Sequence, residues 1–342
     1  MRNKILLSRF CALFICVCLF KLFTPLMFRK HTETLKAIKQ MVFDNSLNPI
    51  INRAEIATAT EFGVPDNLNH RETYNRIAFL KTHKTGSSTA QNIFLRYGES
   101  RNLTFLISKQ RKEQYDNVIS THETLNKRNI LPPPSNKTYD ILCCHVLYNK
   151  VAFQKYMPCD AAYISILREP FEQFLSTLNY FMPGNIFNGT TDANTKVLEY
   201  LRDPWSYEKE LMPYYSFTNN RMAVEFDFPL NLFYNYSKEL SMAYIKKLDV
   251  EFHLIIILEH FMESVILMRR MLGWTTKDIL YKRKNSRDEY SFGVSSTHRH
   301  LYKRYARLDY DLYNFFYVRL MKQIQNEGID FKLELLQFRY IR

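Results

Sequence analysis

Short apolar runs alternate with longer amphipathic stretches from about Tyr74 onwards, a pattern typical of alternating strands and helices. Four runs have strand length and are apolar at almost every position, so each is predicted to be buried on both faces. They are Arg76–Lys81, Tyr139–Cys144, Ala162–Leu167 and Phe252–Leu258. The segments between them are long enough for crossover helices, and the pattern therefore predicts an α/β fold with a parallel sheet flanked by helices.

Two helices stand out in the same pattern. One is predicted to begin near Ser88, directly after the first strand and a short turn. The other is the longest helical pattern in the chain, over residues 298 to 326, where apolar side chains recur every three or four positions.

The amino terminus carries a different pattern, a nearly continuous apolar run over Phe10–Phe28. The run is 19 residues long, and at the helical rise it spans about 28 Å, close to the hydrocarbon core of a bilayer. It predicts a single N-terminal transmembrane helix, a signal anchor at 10–28. A cytoplasmic tail would occupy 1–9, a stem 29–73 and the folded domain 74–342. The alternative is a cleavable signal peptide, although no small-x-small cleavage site follows the run.

Composition narrows the class of protein. The chain has 342 residues, 46% of them hydrophobic and 24% charged, with only 8 Gly, 12 Pro and 6 Cys. These values exclude a disordered, collagen-like or disulfide-scaffold protein. The formal charge is +13, and residues 1 to 30 hold six Lys or Arg and no acidic residue. The remainder of the chain is still basic, which favours an anionic ligand.

Two features bear on the compartment. A short basic tail before the apolar run favours a type II orientation, with the folded domain in the secretory lumen. Four sequons could then be glycosylated: Asn102, Asn136, Asn188 and Asn235. The cysteines beyond the anchor are odd in number, so their pairing stays open; they are Cys143, Cys144 and Cys159.

The most informative residues follow the first predicted strand. In an open parallel sheet, ligands bind at the carboxyl ends of the strands. Here the strand runs into Lys84-Thr-Gly-Ser-Ser88 and a helix. Gly86 permits a tight turn, the serine hydroxyls and helix N–H groups can hold an anion, and Lys84 adds charge. The chain contains neither GxxxxGK[ST] nor GxGxxG, which argues against nucleotide hydrolases and dinucleotide oxidoreductases. An ordinary helix cap beside a solvated lysine is the alternative.

A second candidate element follows the third predicted strand. Arg168 ends that strand, Pro170 suits the first turn of the next helix, and Ser176 lies two helical turns along. A guanidinium and a hydroxyl placed in this way can hold one phosphate together. The alternative is an arginine paired with Glu169 or Glu172.

Taken together, these elements resemble those of the galactose 3-O-sulfotransferases, the Golgi carbohydrate sulfotransferases that include galactosylceramide sulfotransferase. Four segments carry the resemblance in the same order: FLKTHKTGSST, ILCCHVLYN, ISILREPFEQFLSTLNYF and LEHFMESVILMRRMLGWTTKDILY. The resemblance implies a P-loop-like sulfotransferase fold, a membrane-anchored Golgi enzyme with its catalytic domain in the lumen, and a role in glycolipid or glycoprotein biosynthesis.

The resemblance also implies roles for particular residues. The enzyme would transfer a sulfuryl group from 3′-phosphoadenosine-5′-phosphosulfate (PAPS) to a sugar hydroxyl without a metal. The expected 5′-phosphosulfate-binding residues are Lys84, Thr85, Gly86, Ser87 and Ser88; those for the 3′-phosphate are Arg168 and Ser176, with Asn285 and Arg287 as weaker candidates. Lys84 would also stabilise the leaving oxygen. His145, just after the second predicted strand, is the expected base, with His83 as runner-up.

The acceptor stays open at this point. The resemblance implies the 3-hydroxyl of a terminal galactose on a glycolipid or glycoprotein, with a glycosaminoglycan uronic acid or a catalytically inactive glycan-binding protein as alternatives; nucleic acid is not expected. Aromatic residues could stack on sugar rings: Tyr180, Phe181, Trp205, Tyr214 and Tyr215. A glycosyltransferase is a further alternative because of Asp309-Tyr-Asp311, but aspartates two apart on a helix point in different directions.

Overall fold

The computed structural model describes residues 73–109, 117–181, 192–208, 212–282 and 293–341. The predicted anchor at 10–28 and most of the predicted stem lie outside these ranges, as do Asn285 and Arg287. Among the residues that the structure describes, no helix combines the length and apolar character needed to cross a bilayer.

The centre of the fold is a sheet in which every pairing between neighbouring strands is parallel. The strands are β1 (Ile77–Leu80), β2 (Phe105–Leu106), β3 (Ile141–Leu142), β4 (Ala162–Leu167) and β5 (Leu254–Ile257). Their order across the sheet is β2-β3-β1-β4-β5. All four predicted strands are confirmed. The two-residue β2 was not predicted, whereas the equally short β3 was, because it lies within the longer apolar run Tyr139–Cys144.

Helices flank the sheet and complete the α/β fold predicted from the sequence. Those before β5 are α1 (Ser87–Glu99), α2 (Lys150–Tyr156), α3 (Pro170–Phe181), α4 (Ala193–Arg202), α5 (Pro204–Glu208), α6 (Arg221–Glu225), α7 (Asn231–Tyr234) and α8 (Lys238–Glu251). After β5 come α9 (Phe261–Leu272), α10 (Thr276–Ile279), α11 (Ser296–Tyr305), α12 (Arg307–Asn326) and α13 (Ile329–Ile341). Short 3₁₀ turns lie at Pro213–Tyr215 and Leu258–His260.

The long helix predicted over 298 to 326 is wrong as a single element. Ala306 leaves helical geometry, with φ −93° and ψ 48°, and separates α11 from α12. Just beyond the break, the backbone N–H of Asp309 donates to the side-chain oxygen of Asn220 over 3.0 Å. This contact joins residues far apart in the chain, so periodicity along the sequence could not indicate it.

The core lies between the sheet and its helices. Every residue of β1, β3, β4 and β5 is buried, which is the pattern expected of parallel strands covered on both sides. Cys143 and Cys144 are buried free thiols at the end of β3, and Cys159 is an exposed one. Because the strands are parallel, the segments that follow β1, β3 and β4 emerge at the same edge of the sheet.

Candidate active site

The turn between β1 and α1 has a backbone shape suited to holding an anion. Lys84 and Gly86 both adopt left-handed conformations, with φ 60° and φ 75°. A Cβ on residue 86 would lie 2.6 Å from a methyl carbon of Leu258, so the position favours glycine on both counts. Gly86 provides the N-cap of α1 without a side-chain hydrogen bond. The first N–H groups of α1 therefore form a ready anion-binding position.

Hydrogen bonds inside the turn distinguish its hydroxyl groups. The Thr85 hydroxyl donates to the carbonyl of Thr82 over 3.1 Å, and the Ser87 hydroxyl donates to the same carbonyl over 2.6 Å. Both side chains are buried, whereas Ser88 is half-buried. The structure thus uses the hydroxyls of Thr85 and Ser87 to hold the turn, and Ser88 is better placed to reach a ligand.

Lys81, which was not predicted as a site residue, lies beneath this turn. Its ammonium donates to Ser87 Oγ over 3.2 Å and to Ser88 Oγ over 3.1 Å, and the side chain is only 1% exposed. Burial lowers the pKa of Lys81 to about 8, although Cys143, Cys144 and Glu225 oppose the shift. Its position as the last residue of the predicted strand was the only signal in the sequence.

Arg168 connects the two predicted donor-binding elements. Its guanidinium donates to the backbone carbonyl of Lys84 over 3.3 Å and lies 3.9 Å from the Glu172 carboxylate. Arg168 therefore pairs with Glu172, as one of the two interpretations of the sequence predicted, and its guanidinium also contacts the turn after β1. Ser176 is half-buried on α3. The Lys84 ammonium lies over the ring of Tyr180, 3.8 Å from its centroid.

His83 and His145 come together as a stacked pair of buried imidazoles. Their ring centroids are 3.7 Å apart and their planes differ by 21°. Nδ1 of His145 lies 2.8 Å from the backbone carbonyl of Lys81. A carbonyl can only accept, so this nitrogen carries the proton and Nε2 is unprotonated in the neutral ring. Nδ1 of His83 bonds in the same way to the Glu225 carboxylate.

Glu225 holds His83 at two points and was not predicted. Besides the ring contact, the backbone N–H of His83 donates to Glu225 Oε2 over 2.8 Å. Arg221, one turn earlier on α6, donates to Glu225 Oε1 over 3.2 Å and is fully buried. No short motif surrounds these residues in the sequence. Only the contacts of α6 with the segments that follow β1 and β3 reveal them.

Charge and burial keep both imidazoles neutral. Burial lowers the pKa of His83 well below 6.5, and the positive charges of Arg221 and the two lysines of the turn add to the effect. Burial likewise lowers the pKa of His145, assisted by His83 and Lys81 and opposed by Glu225. Both rings are therefore able to accept a proton at neutral pH.

The same residues have a geometry that can accommodate a metal ion. His83, His145 and Glu225 each offer one ligand atom, and these atoms lie within 4.8 Å of one another. Two imidazoles and a carboxylate are a familiar ligand set for zinc. Both Nδ1 atoms already bond, to Glu225 and to a backbone carbonyl, so the Nε2 atoms are the ring nitrogens that would reach an ion.

Asp309 and Asp311 do not form a metal-chelating pair. Asp309 is buried and accepts the N–H groups of Met222 and Ala223, at the first turn of α6. Asp311 accepts instead from Tyr236, Lys238 and Ser241. The two carboxylates serve different neighbours, as their spacing predicts, and this removes the basis for a glycosyltransferase.

The fold and the turn after β1 define an α/β protein with an anion-binding position at the carboxyl edge of a parallel sheet. A family model described as Galactose-3-O-sulfotransferase matches residues 24–338. The chain belongs to the galactose-3-O-sulfotransferase family, as its sequence motifs predicted.

Three relatives show the extent of the similarity. Galactose-3-O-sulfotransferase 3 of Bos taurus is 28% identical over 266 residues, covering 75% of this chain and 60% of that protein. Galactose-3-O-sulfotransferase 2 of Mus musculus is 29% identical over 274 residues, covering 77% and 66%. Galactosylceramide sulfotransferase of Homo sapiens is 28% identical over 256 residues, covering 74% and 58%. The matched region thus spans about 60% of the length of relatives such as the first and third.

Proposed function

We propose that this protein transfers a sulfuryl group from PAPS to the 3-hydroxyl of a galactose on a glycolipid or glycoprotein glycan. Membership of the family supports the reaction type. One structural observation carries the proposal: the turn holding Lys84, the Arg168 guanidinium and the His83–His145 pair meet at one edge of the sheet. Anion binding and proton acceptance are thereby available within one site.

Donor binding is assigned to the turn and to the strand end beside it. The N–H groups at the start of α1, the Ser88 hydroxyl and Lys84 would hold the 5′-phosphosulfate, as the P-loop-like element of a sulfotransferase fold. Arg168 and Ser176 would hold the 3′-phosphate. Lys81 acts indirectly, because its ammonium orients the two serine hydroxyls.

The transfer itself is an in-line displacement at sulfur. The acceptor hydroxyl oxygen forms a bond to sulfur while the bond between sulfur and the bridging oxygen of the 5′-phosphate breaks. The acceptor proton passes to an imidazole Nε2, and the bisphosphate leaves with the electrons of the broken bond. Lys84 stabilises the negative charge that develops on the leaving oxygen.

His145 is the preferred base and His83 the second candidate. The Lys81 carbonyl fixes His145 as the tautomer with an unprotonated Nε2. His83 is fixed in the same way by a carboxylate, the arrangement that stabilises an imidazolium after proton transfer. Because the two rings are stacked, either imidazole could take the single proton of the acceptor hydroxyl.

The compartment is part of the same proposal. The apolar run at 10–28 would anchor the chain in the Golgi membrane as a single-pass type II protein, with the catalytic domain in the lumen. The three sequons that the structure describes support this placement, because Asn102, Asn136 and Asn235 are all exposed. Their glycosylation, measured as a mobility shift on treatment with an endoglycosidase, is the expected sign of lumenal exposure.

Transfer of radiolabelled sulfate tests the proposed reaction. The full chain in detergent is assayed with labelled PAPS against galactosylceramide, lactosylceramide, N-acetyllactosamine and desulfated heparan sulfate. Label on a galactose 3-hydroxyl, lost in His145→Ala, is expected; loss only in His83→Ala would reassign the base. Label on heparan alone would replace galactose by a uronic acid. Binding of the bisphosphate product without any transfer would indicate a glycan-binding protein instead.

A further inference from the structure

A continuous series of ring contacts leads from the histidine pair to the protein surface. Phe217 meets His83 edge to face, with centroids 5.1 Å apart. Phe181 packs on Phe217 at 4.7 Å, and Tyr180 packs on Phe181 at 4.8 Å. Tyr180 in turn lies beneath the Lys84 ammonium. The series, Phe217–Phe181–Tyr180, therefore begins and ends at residues of the candidate site.

These rings are placed on the surface and not in the core. Phe181 is 39% exposed and Tyr180 is 60% exposed, while Phe217 is half-buried. Phenylalanine has no polar group that water could satisfy, so exposed rings beside a reactive centre indicate a surface that becomes covered. Trp205, another exposed aromatic residue, packs on Tyr305 in a different cluster.

The cation beside Phe217 is not available to an acidic sugar, which favours a neutral sugar at this ring. Arg221 lies 4.3 Å from the Phe217 ring, but it is fully buried. It also bonds to Glu225 and to the backbone carbonyls of Tyr214 and Thr121. Its guanidinium is therefore committed within the fold and does not offer an ion-pair partner to a uronic acid carboxylate.

We propose that Phe217 and Phe181 form the acceptor platform, on which the apolar face of the terminal galactose packs with its 3-hydroxyl directed at the histidine pair. This inference rests on the proposed function. The axial 4-hydroxyl of galactose leaves the hydrogens on C3, C4 and C5 on one face, which makes that face apolar. Phe217 meets His83 at 5.1 Å between centroids, so a sugar seated on Phe217 would bring one edge towards His83.

Steady-state kinetics of leucine and tyrosine variants test the platform. Phe181→Leu and Phe217→Leu keep apolar volume but remove the flat ring, and each is expected to raise the KM for N-acetyllactosamine about tenfold. The KM for PAPS should stay unchanged. Phe181→Tyr, which keeps an aromatic ring, should have the wild-type acceptor KM. Tyr340→Leu, at an exposed aromatic residue on α13, should alter neither constant. An unchanged acceptor KM in both leucine variants would overturn the platform, as would equal increases for donor and acceptor.

A binding measurement separates this inference from the proposed reaction. Calorimetric titration of the full chain with N-acetyllactosamine, in the presence of the bisphosphate product, needs no turnover. A wild-type chain that transfers nothing but binds this sugar, with binding lost in Phe181→Leu, would refute the transferase and retain the platform. Transfer by the wild type, together with sugar binding that is unaffected in both leucine variants, would support the transferase and refute the platform.

Discussion

His83 and His145 stack with their ring centroids 3.7 Å apart, although they follow different strands of the sheet. Each ring holds its Nδ1 proton through a separate partner, Glu225 for one and the Lys81 carbonyl for the other. Two imidazolium ions could not occupy these positions without strong repulsion. The arrangement therefore maintains a neutral pair beside the anion-binding turn, and this determines how the protein should respond to pH.

Activity should persist at mildly acidic pH. A base must be unprotonated, and burial lowers the pKa of both His83 and His145 well below 6.5. The decrease in kcat/KM on acidification is therefore expected below pH 6.5, as shown by a pH–rate profile at acceptor concentrations well below KM. Glu225→Gln removes a charge that raises the pKa of His145, so it should move this decrease to still lower pH. A decrease centred above pH 7 in the wild type would contradict the assignment.

Lys84 should be needed for turnover more than for folding. Lys84→Ala removes the charge assigned to the leaving oxygen, and kcat is expected to fall about 100-fold. The thermal midpoint should change little, because Lys84 is half-buried and its side chain lies over an exposed tyrosine. Lys246→Ala, at an exposed position on α8, is the control. A kcat within twofold of the wild type would remove Lys84 from the mechanism.

Arg168 should set the affinity for the donor. Arg168→Lys keeps the charge but loses the planar group that can bind a phosphate through two parallel hydrogen bonds. The dissociation constant of the bisphosphate product, measured by calorimetry, is expected to rise about tenfold. An affinity equal to that of the wild type would place the 3′-phosphate elsewhere on the protein.

Lys81 should make donor binding sensitive to alkaline pH. Its pKa is lowered to about 8, so its positive charge is present below that pH and is lost above it. Donor affinity is expected to decrease as the pH rises through 8. In Lys81→Met, affinity at pH 7 should already match the alkaline wild-type value and show no such decrease. A profile that retains the same step in this variant would assign the titration to another group.

Chelation should leave the reaction unchanged. The proposed displacement uses side-chain and backbone groups, and the rings of the histidine pair are already oriented by hydrogen bonds. Sulfuryl transfer is therefore expected to survive dialysis against EDTA. Loss of activity that zinc restores would instead assign a metal to His83, His145 and Glu225, the cluster whose ligand atoms lie within 4.8 Å of one another.

The sequence alone was sufficient for the elements whose signal is local. Buried parallel strands appear as apolar runs, and a glycine followed by serines after such a run predicts an anion-binding turn. The four strands and the start of α1 followed from these signals, whereas the family followed from the resemblance of four segments to known sulfotransferases. The strand β2 and the break at Ala306 did not follow from local signals, and the break is accompanied by a contact between Asp309 and Asn220, which lie far apart in the chain.

Tertiary structure decided which side chains meet at the site. Glu225 orients His83, Phe217 packs beside it, and Lys81 supports the serines of the turn, yet none of the three belongs to a recognisable motif. Their roles arise from contacts between segments distant in the chain, and the burial that shifts the pKa values exists only after these segments pack. Sequence pattern reports the periodicity of single elements, whereas the chemistry of this site depends on distances between elements.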